Sequence, residues 1–369
     1  MDASRKQYMD AVQQATMVEY TQNFVTLHYS KASFCPSLFH SATFSASDRR
    51  CSTPSIRAAF VTSIYETLKA NSPEETFIAL DAATVRKLAL VINITMSVIY
   101  KQNHYLDDKW NWEDGLNGKR EMLGTFQLKD YLYDYINEDQ ALKPYAGTIG
   151  MKLRQAFRET DMGQRLDKEF NFKKYMQGLS SCPSMSDIIN NRLYPLKSII
   201  EDIKTGKTAR AQFGIDLYFC RTYLISSGLF RSFAEMLSEI TNAAADVTNK
   251  MVQYAEIYGV MMQLVNDISD FALEAGTSNK KSYDVLSDLK NETLSLPIIM
   301  HLEYAEDKIK LKESSLNEFK VYQYFLTKLS SNKQTEFVLE GQHNEILREM
   351  ITSRALLDSM KIGNKLKRE

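Results

Sequence analysis

Two short acidic segments contain side chains that could bind a metal ion through oxygen atoms. In the first, Asp107 and Asn111 are four residues apart, and Asp108 follows Asp107 directly. On a helix, residues at i and i+4 lie on the same face, one turn apart. Carboxylate and amide oxygens are the ligands that Mg²⁺ prefers, usually together with phosphate oxygens of a substrate. The segment therefore predicts a metal site, although alone it would also suit a solvated helix end.

The second acidic segment lies within strongly apolar sequence. Asn266, Asp270 and Glu274 recur at i, i+4 and i+8, and Asp267 lies next to this stripe. Carboxylates in apolar surroundings are destabilising unless they are paired or bound to metal. We therefore predict that all four side chains bind metal, with an exposed helix face as the alternative interpretation.

Basic side chains accompany the second acidic segment. Arg221 precedes it in the sequence, and Lys280 and Lys290 follow it. Guanidinium and ammonium groups form strong charge-assisted hydrogen bonds with phosphate oxygens. Two acidic segments together with these cations predict a metal-bridged site for a diphosphate.

The composition indicates that long helices carry these segments. The 14 glycines and 7 prolines make up about 6% of the 369 residues, where about 12% is usual. Few helix breakers favour long helices over turn-rich β folds. Ile56, Phe60, Ile64 and Leu68 recur at helical spacing, and Asp81 could cap a helix over residues 85–106. Further helices are predicted at residues 5–31, 125–137, 150–160, 184–204, 212–241, 245–275, 294–312 and 316–330.

The domain organisation follows from this pattern, because no segment resembles a linker and no strand alternation occurs. We predict one all-α domain over residues 56–360. An N-terminal helix and a Ser-rich loop, residues 1–55, precede it, and a basic tail, residues 361–369, follows it.

Charge and cysteine placement exclude several functional classes. The 45 basic and 46 acidic residues leave a net charge of −1, which provides no basic field for nucleic acid or anionic lipid. Four scattered cysteines without a C-x-x-C pair favour a reducing compartment. The N-terminus does not resemble a signal peptide, and residues 88–100 are expected to be too short and too polar to span a bilayer. We expect a cytoplasmic protein without an integral membrane segment.

The order of the segments resembles that in trans-isoprenyl diphosphate synthases and the related class I terpene synthases. Those families carry a DDxxD motif, a GQxxD motif, a KT pair, a second DDxxD motif, and lysines before a TLP-like sequence. The corresponding segments here are Asp107-Asp108-Lys109-Trp110-Asn111, Gly163-Gln164-Arg165-Leu166-Asp167, Arg221-Thr222, Asn266-Asp267-Ile268-Ser269-Asp270 with Gln263 before it, Lys280, Lys290, and Leu294-Ser295-Leu296-Pro297. The likeness covers roughly residues 50–300.

This resemblance implies a fold and a set of roles. The fold would be a single-domain class I isoprenoid synthase bundle around a deep apolar cavity, with the acidic clusters facing each other across its mouth. Mg²⁺ would be the cofactor, with three ions when substrate is bound. The resemblance is also compatible with a homodimer. The catalytic residues would be Asp107, Asp108 and Arg221. The diphosphate would be held by Arg221, Lys280, Lys290 and Arg57, and Gln164, Asp167 and Gln263 would complete the motifs.

Two dipeptides could correspond to the KT pair of the family. Lys207-Thr208 lies 59 residues before Asn266, whereas Arg221-Thr222 lies 45 residues before it. The shorter distance suits both the KT pair of the synthases and the diphosphate-sensing Arg of the cyclases. We favour Arg221 and keep Lys207-Thr208 as the alternative.

The site for a second diphosphate departs from the elongating enzymes of the family. Of the GKxxRP pattern only Arg57 is present, Tyr100 stands where His or Gln is usual, and the pair Lys119-Arg120 comes late. Each missing charged hydrogen bond would weaken binding of isopentenyl diphosphate by about 1.5–3 kcal/mol. Asn266 to Glu274 also nearly fits the metal motif of terpene cyclases.

These departures favour a class I terpene cyclase that ionises farnesyl or geranylgeranyl diphosphate and releases diphosphate. Three alternatives stay open. Arg57, Lys119 and Arg120 could rebuild the second site of a chain-elongating prenyl diphosphate synthase. The enzyme could instead prenylate another acceptor, or the chain could be a degenerate subunit that regulates an active partner.

Overall fold

The computed structural model describes residues 56–106, 118–171, 196–269 and 293–311, and the single positions 175, 185, 188, 193, 288 and 362. We number the helices of this part in chain order. They are α1 (Ile56–Asn71), α2 (Ala82–Leu106), α3 (Gly118–Glu138), α4 (Ala146–Glu169), α5 (Lys197–Lys204), α6 (Ala209–Thr222), α7 (Gly228–Thr241), α8 (Ala245–Ser269) and α9 (Leu296–Leu311). These ranges contain no β-strand, so the prediction of an all-α fold is confirmed.

The start of α2 shows how a local sequence signal fixes a helix end. The backbone N–H of Thr84 donates a hydrogen bond of 2.7 Å to Oδ1 of Asp81, the residue that precedes the helix. This bond satisfies one of the backbone donors that a helix leaves unpaired at its N-terminus. It also lowers the pKa of Asp81 below its ordinary value. The predicted cap is therefore present.

One predicted helix, residues 212–241, is interrupted in the structure. α6 ends at Thr222, five residues of π-helix follow (Tyr223–Ser227, called the π segment below), and α7 begins at Gly228. A π-helix inserts an extra residue into the helical repeat, and such insertions are rare and often lie at functional sites. The predicted helices at residues 5–31 and 316–330 lie outside the described residues.

The described chain divides into two compact units. Among the described residues, unit 1 contains 56–106, 118–160 and 229–255, and unit 2 contains those within 161–228 and after 255. Both units are discontinuous in sequence, because residues 229–255 belong to unit 1. The predicted boundaries at residues 55 and 360 stay a prediction, since both fall outside the described residues.

Unit 1 is built on α2. This helix packs against α1, which precedes it in the sequence, and against α3, which follows it. Its segment Ala82–Tyr100 is long and apolar enough to cross a membrane by length and composition, unlike the shorter segment that sequence analysis considered. Of this window, 65% is buried inside the protein, as expected for a core helix.

Unit 2 is organised around α6, which packs against α5 and α9. Ten of its fourteen residues, including Phe213, Tyr218 and Arg221, are buried. The apolar side chains of its core include Ile199, Ile200, Phe213, Leu217, Val260, Leu264, Ile298, Ile299 and Leu302. A charged residue near the end of such a buried helix requires partners of opposite charge, and these partners define the site below.

Candidate functional site

The centre of the site is the ion pair between Arg221 and Asp167. Arg221 lies in the last turn of α6 and is only 4% exposed. Its Nη1 atom donates a hydrogen bond of 2.6 Å to Oδ1 of Asp167 on α4. Its Nη2 atom lies 3.9 Å from Oδ2 of Asp267 on α8. One guanidinium therefore links α4, α6 and α8 through residues that all belong to unit 2.

The electrostatic surroundings of Arg221 are strongly acidic. Burial alone would lower the pKa of Arg221, but the charges of Asp167, Asp267 and Asp288 outweigh burial and raise its pKa above the ordinary value. The Cζ atom of Arg221 also lies 5.4 Å from the ring centre of Tyr218, a cation–π distance. Burial, together with the charge of Asp267, raises the pKa of Tyr218 well above its usual range. Arg221 thus stays charged and Tyr218 stays neutral.

A chain of hydrogen bonds holds Asp267 in place. Nε2 of Gln263, one turn earlier on α8, donates to Oδ1 of Asp267 at 2.8 Å. Oε1 of Gln263 accepts a hydrogen bond of 3.1 Å from the hydroxyl of Ser226 in the π segment. On the far side of Arg221, the hydroxyl of Thr293 donates to Oδ2 of Asp167 at 3.4 Å.

The structure brings four predicted residues together in this cluster: Asp167, Arg221, Gln263 and Asp267. They come from the GQxxD-like segment, the favoured KT equivalent and the second acidic segment. Gln164 of the first of these segments is buried on α4. Segments that are distant in sequence therefore lie together at this point.

The alternative KT pair has a different role. Thr208 is the N-cap of α6, where its side chain accepts a hydrogen bond from the N–H of Ala211. Its own N–H and hydroxyl donate to the two carboxylate oxygens of Glu303 on α9, at 2.7 and 2.6 Å. Thr208 therefore fixes the start of α6 on α9, and Arg221 is the residue in the acidic cluster.

Replacing Thr208 with alanine tests this assignment. We expect the variant to lose about 1–2 kcal/mol of the free energy of unfolding, because α6 loses its cap. Catalytic turnover should stay near that of the wild type at temperatures where the variant is folded. Urea denaturation and a turnover assay on the same preparation measure the two quantities. A loss of turnover without a loss of stability would restore Lys207-Thr208 as the KT equivalent.

The two described residues of the second acidic segment differ in orientation. Asn266 is exposed on α8, whereas Asp267 is 1% exposed and is held by Gln263 and Arg221. Successive helical residues point about 100° apart, so neighbours on α8 can face solvent and core respectively. The burial of Asp267 favours an ion-pair role over the metal-ligand role that the sequence suggested.

The remaining predicted site residues cannot be placed in this geometry. Arg57 lies in α1, of which only the backbone is described at that position. The residues outside the described ranges are Asp107, Asp108, Asn111, Asp270, Glu274, Lys280 and Lys290. Their roles, and the apolar cavity between the two acidic segments, stay predictions.

Among the described residues, only part of the predicted metal site is present. Within the described ranges, no three His, Cys, Asp or Glu side chains are grouped to hold a metal ion. Asn266 offers an amide oxygen on the exposed face of α8, which suits Mg²⁺ in its donor type. The predicted metal site thus fits Asn266, and its other ligands would come from the segments outside the described ranges.

Sequence analysis missed four residues of the cluster: Tyr218, Ser226, Asp288 and Thr293. Tyr218 precedes Arg221 by three residues, a helical spacing that could have indicated a contact. Asp288 lies two residues before Lys290, in a segment where only Lys280 and Lys290 are predicted to belong to the site. For Ser226 and Thr293 no sequence signal exists, because their partners lie on other elements.

The fold and the cluster can now be compared with known proteins. A solved structure of polyprenyl synthase from Caulobacter crescentus, complexed with calcium and isoprenyl diphosphate, superposes with a TM-score of 0.56 at 13% identity. The likeness covers 96% of this chain and 87% of that one. Residues 159–323 match the model of a family described as polyprenyl synthetase. The chain therefore has the fold of this solved structure, and the family model matches less than half of its residues. The family match includes all three charged residues of the central ion pairs.

Curated relatives resemble the chain over a shorter range. A prenyl transferase of Cyanophora paradoxa is 26% identical over 147 residues, which are 38% of this chain and 45% of the relative. Solanesyl diphosphate synthase 3 of Arabidopsis thaliana is 25% identical over 130 residues, 33% of this chain and 30% of the relative. The match thus spans less than half the length of either relative. The first relative is named as a prenyl transferase and the second as a diphosphate synthase.

Proposed function

We propose that this protein is a prenyltransferase that ionises an allylic prenyl diphosphate and joins the prenyl group to isopentenyl diphosphate. The observation that supports this most directly is the ion-pair cluster of Asp167, Arg221 and Asp267. It joins three segments that resemble motifs of the isoprenyl diphosphate synthases, within the range that matches the polyprenyl synthetase family model.

In the proposed reaction, the allylic C–O bond breaks and diphosphate leaves with the electron pair. The double bond of isopentenyl diphosphate then attacks the allylic carbon, and loss of a proton completes the longer product. Lys280 and Lys290 bind the departing diphosphate. Arg221 keeps α4, α6 and α8 in register, so that Asn266 stays on the exposed face of α8.

Mg²⁺, when bound, would supply positive charge that stabilises the leaving diphosphate. The residues that would hold it are Asp107, Asp108, Asn111, Asn266, Asp270 and Glu274. Bound calcium and isoprenyl diphosphate in the Caulobacter structure support a divalent cation beside the substrate here as well. Asp267 serves this arrangement indirectly, through its bond with Gln263 and its ion pair with Arg221.

Cyclisation of the allylic diphosphate is the second candidate function. It is favoured by the departures at the second diphosphate site, where Tyr100 replaces the usual His or Gln and only Arg57 remains of the first pattern. Lys119 and Arg120 lie in the first turn of α3. If they bind isopentenyl diphosphate, transfer is the function; if they do not, ionisation would end in a cyclic or linear terpene.

One assay separates the two functions. The protein is incubated with Mg²⁺ and geranyl, farnesyl or geranylgeranyl diphosphate, with and without isopentenyl diphosphate. Prenyl transfer predicts a longer diphosphate that forms only when isopentenyl diphosphate is present. Hydrocarbon products without it would establish the cyclase instead, and absence of both products would exclude both functions.

A variant pair ties the result to the predicted site. Asp107→Ala should abolish diphosphate release while the protein remains folded. Asp161→Ala, which removes an exposed carboxylate on α4, is the matched control and should keep full turnover. Equal turnover in the two variants would remove Asp107 from the site.

A further inference from the structure

The π segment lies directly between α6 and α7 and is held by close contacts with two glycines. A Cβ atom on Gly259 of α8 would lie 2.4 Å from Cα of Ser227, and one on Gly163 of α4 would lie 2.6 Å from Cγ1 of Ile225. Real Cβ atoms do not approach other heavy atoms this closely. Only glycine therefore allows α4 and α8 to contact the π segment at these points.

Three side chains of the π segment also donate hydrogen bonds to α8. The Tyr223 hydroxyl donates to Oε1 of Glu256 at 2.8 Å, and the Ser227 hydroxyl donates to the Glu256 carbonyl at 2.7 Å. The Ser226 hydroxyl donates to Gln263. Glu256 and Gln263 are seven residues apart, so one face of α8 is held at two points separated by two turns.

The direction of the bonds at Gln263 follows from chemistry. An ionised carboxylate can only accept hydrogen bonds, so Asp267 requires the NH₂ group of Gln263. The amide oxygen of Gln263 must then face the other way, toward Ser226, whose hydroxyl donates to it. Donors thus run in one direction from Ser226 through Gln263 to Asp267, whose other oxygen faces Arg221.

We propose that Ser226 is a positioning residue that orients the Asp267 carboxylate through Gln263, and through Asp267 orients Arg221. This inference deepens the proposed function and rests on it for its catalytic consequence. Without the Ser226 hydroxyl, the amide of Gln263 can rotate, and its oxygen can turn toward the carboxylate. Asp267 then lies less often in the position that pairs with Arg221.

A double-mutant cycle tests the relay without any activity measurement. Ser226→Ala, Asp267→Asn and the double variant are compared by urea denaturation. Ser226 and Asp267 are linked only through Gln263 in the relay, so we expect Ser226→Ala to have less effect when Asp267 is already Asn. The factor by which Ser226→Ala changes the unfolding equilibrium constant should then differ by about threefold or more between the wild-type and the Asp267→Asn background. Factors that agree within about 1.5-fold in the two backgrounds would overturn the relay.

Turnover kinetics test the positioning role. We expect Ser226→Ala to lower kcat for prenyl transfer by about fivefold, the loss equivalent to one neutral hydrogen bond. KM should change by less than about twofold, because Ser226 does not contact substrate. Ser226→Thr keeps the hydroxyl and should restore kcat. Failure of the threonine variant to do so would contradict the proposal.

A matched serine variant separates positioning from a general effect of losing a hydroxyl. The Ser238 hydroxyl on α7 donates to the Ala234 carbonyl of its own helix, and Ser238→Ala should leave kcat unchanged. An equal loss of kcat in the Ser226 and Ser238 variants would overturn the proposal. If the wild type transfers no prenyl group, the proposed function fails, and the double-mutant cycle still decides the relay.

Discussion

Replacing Arg221 with methionine is expected to lower the free energy of unfolding by about 3–5 kcal/mol. Methionine keeps much of the apolar stem of arginine but has no charge. Asp167 and Asp267 would then remain buried without the guanidinium that now lies 2.6 Å and 3.9 Å from them. Removing one partner of a buried ion pair is strongly destabilising, because the remaining carboxylates lose the counter-charge that offsets their burial. Urea denaturation at pH 7 measures the difference.

The control is an arginine whose ion pair is exposed. Arg165 on α4 pairs with Glu169 at 2.7 Å, but its side chain is 77% exposed. Exposed pairs of this kind contribute about 0–1 kcal/mol, so Arg165→Met should have little effect. Comparable losses in the two variants would show that Arg221 is not the centre of a buried cluster.

Arg221→Lys distinguishes charge from geometry. Lysine is the residue of the family's KT pair and keeps the positive charge, but its single ammonium cannot reproduce the planar fork of arginine. It can approach Asp167 or Asp267 closely but is poorly shaped to bridge both. We expect an intermediate stability. Full stability would show that charge alone holds the cluster.

Local sequence signals predicted the parts of the fold that depend on local contacts. The helical spacing of Phe60, Ile64 and Leu68 and the cap at Asp81 both act within one or two turns, and both are present. The spacing of 45 residues between Arg221 and Asn266 favours Arg221 as the KT equivalent, which stays a prediction. Such signals need no knowledge of the partner element.

The sequence could not predict contacts that depend on the packing of distant elements. Nothing in Tyr223–Ser227 distinguishes a π-helix from a continuous α-helix, and its close neighbours Gly163 and Gly259 lie on other helices. Asp267 was grouped with metal ligands by its proximity to Asn266. Helix geometry already places Asp267 about 100° away from the face that carries Asn266. Its pairing with Arg221, however, follows only from the three-dimensional structure.

Gly259→Ala is expected to destabilise the protein by about 1–3 kcal/mol, although alanine is the better helix former. The new Cβ atom would lie 2.4 Å from Cα and 2.7 Å from N of Ser227, both backbone atoms. Non-bonded carbon atoms prefer about 3.5–4.0 Å, so α8 or the π segment must move by about 1 Å. Such a movement strains the bonds of Tyr223 and Ser227 to Glu256. The gain in helix propensity, about 1 kcal/mol, does not compensate.

Two glycines on α4, Gly147 and Gly163, allow the effect of an added Cβ atom on stability to be compared with that at Gly259. A Cβ atom on Gly147 would meet nothing within 4 Å, so Gly147→Ala should stabilise the protein by about 0.5–1 kcal/mol. At Gly163 the two nearest atoms belong to the side chains of Ile225 and Leu224. The Ile225 side chain can rotate in part, so Gly163→Ala should be destabilising but less so than Gly259→Ala. The expected order of stability is therefore Gly147→Ala above wild type, then Gly163→Ala, then Gly259→Ala.

The effect of Gly259→Ala should extend to catalysis, because α8 carries Gln263 one turn and Asp267 two turns beyond the glycine. A shift of α8 against the π segment would lengthen the bond between Ser226 and Gln263, now 3.1 Å, and move Asp267 relative to Arg221. We expect kcat to fall in Gly259→Ala even at temperatures where the variant is fully folded, and to stay unchanged in Gly147→Ala. A Gly259→Ala enzyme with full kcat but reduced stability would show that the close contact serves folding alone. A loss of kcat in both would show that the contact with the π segment is not its cause.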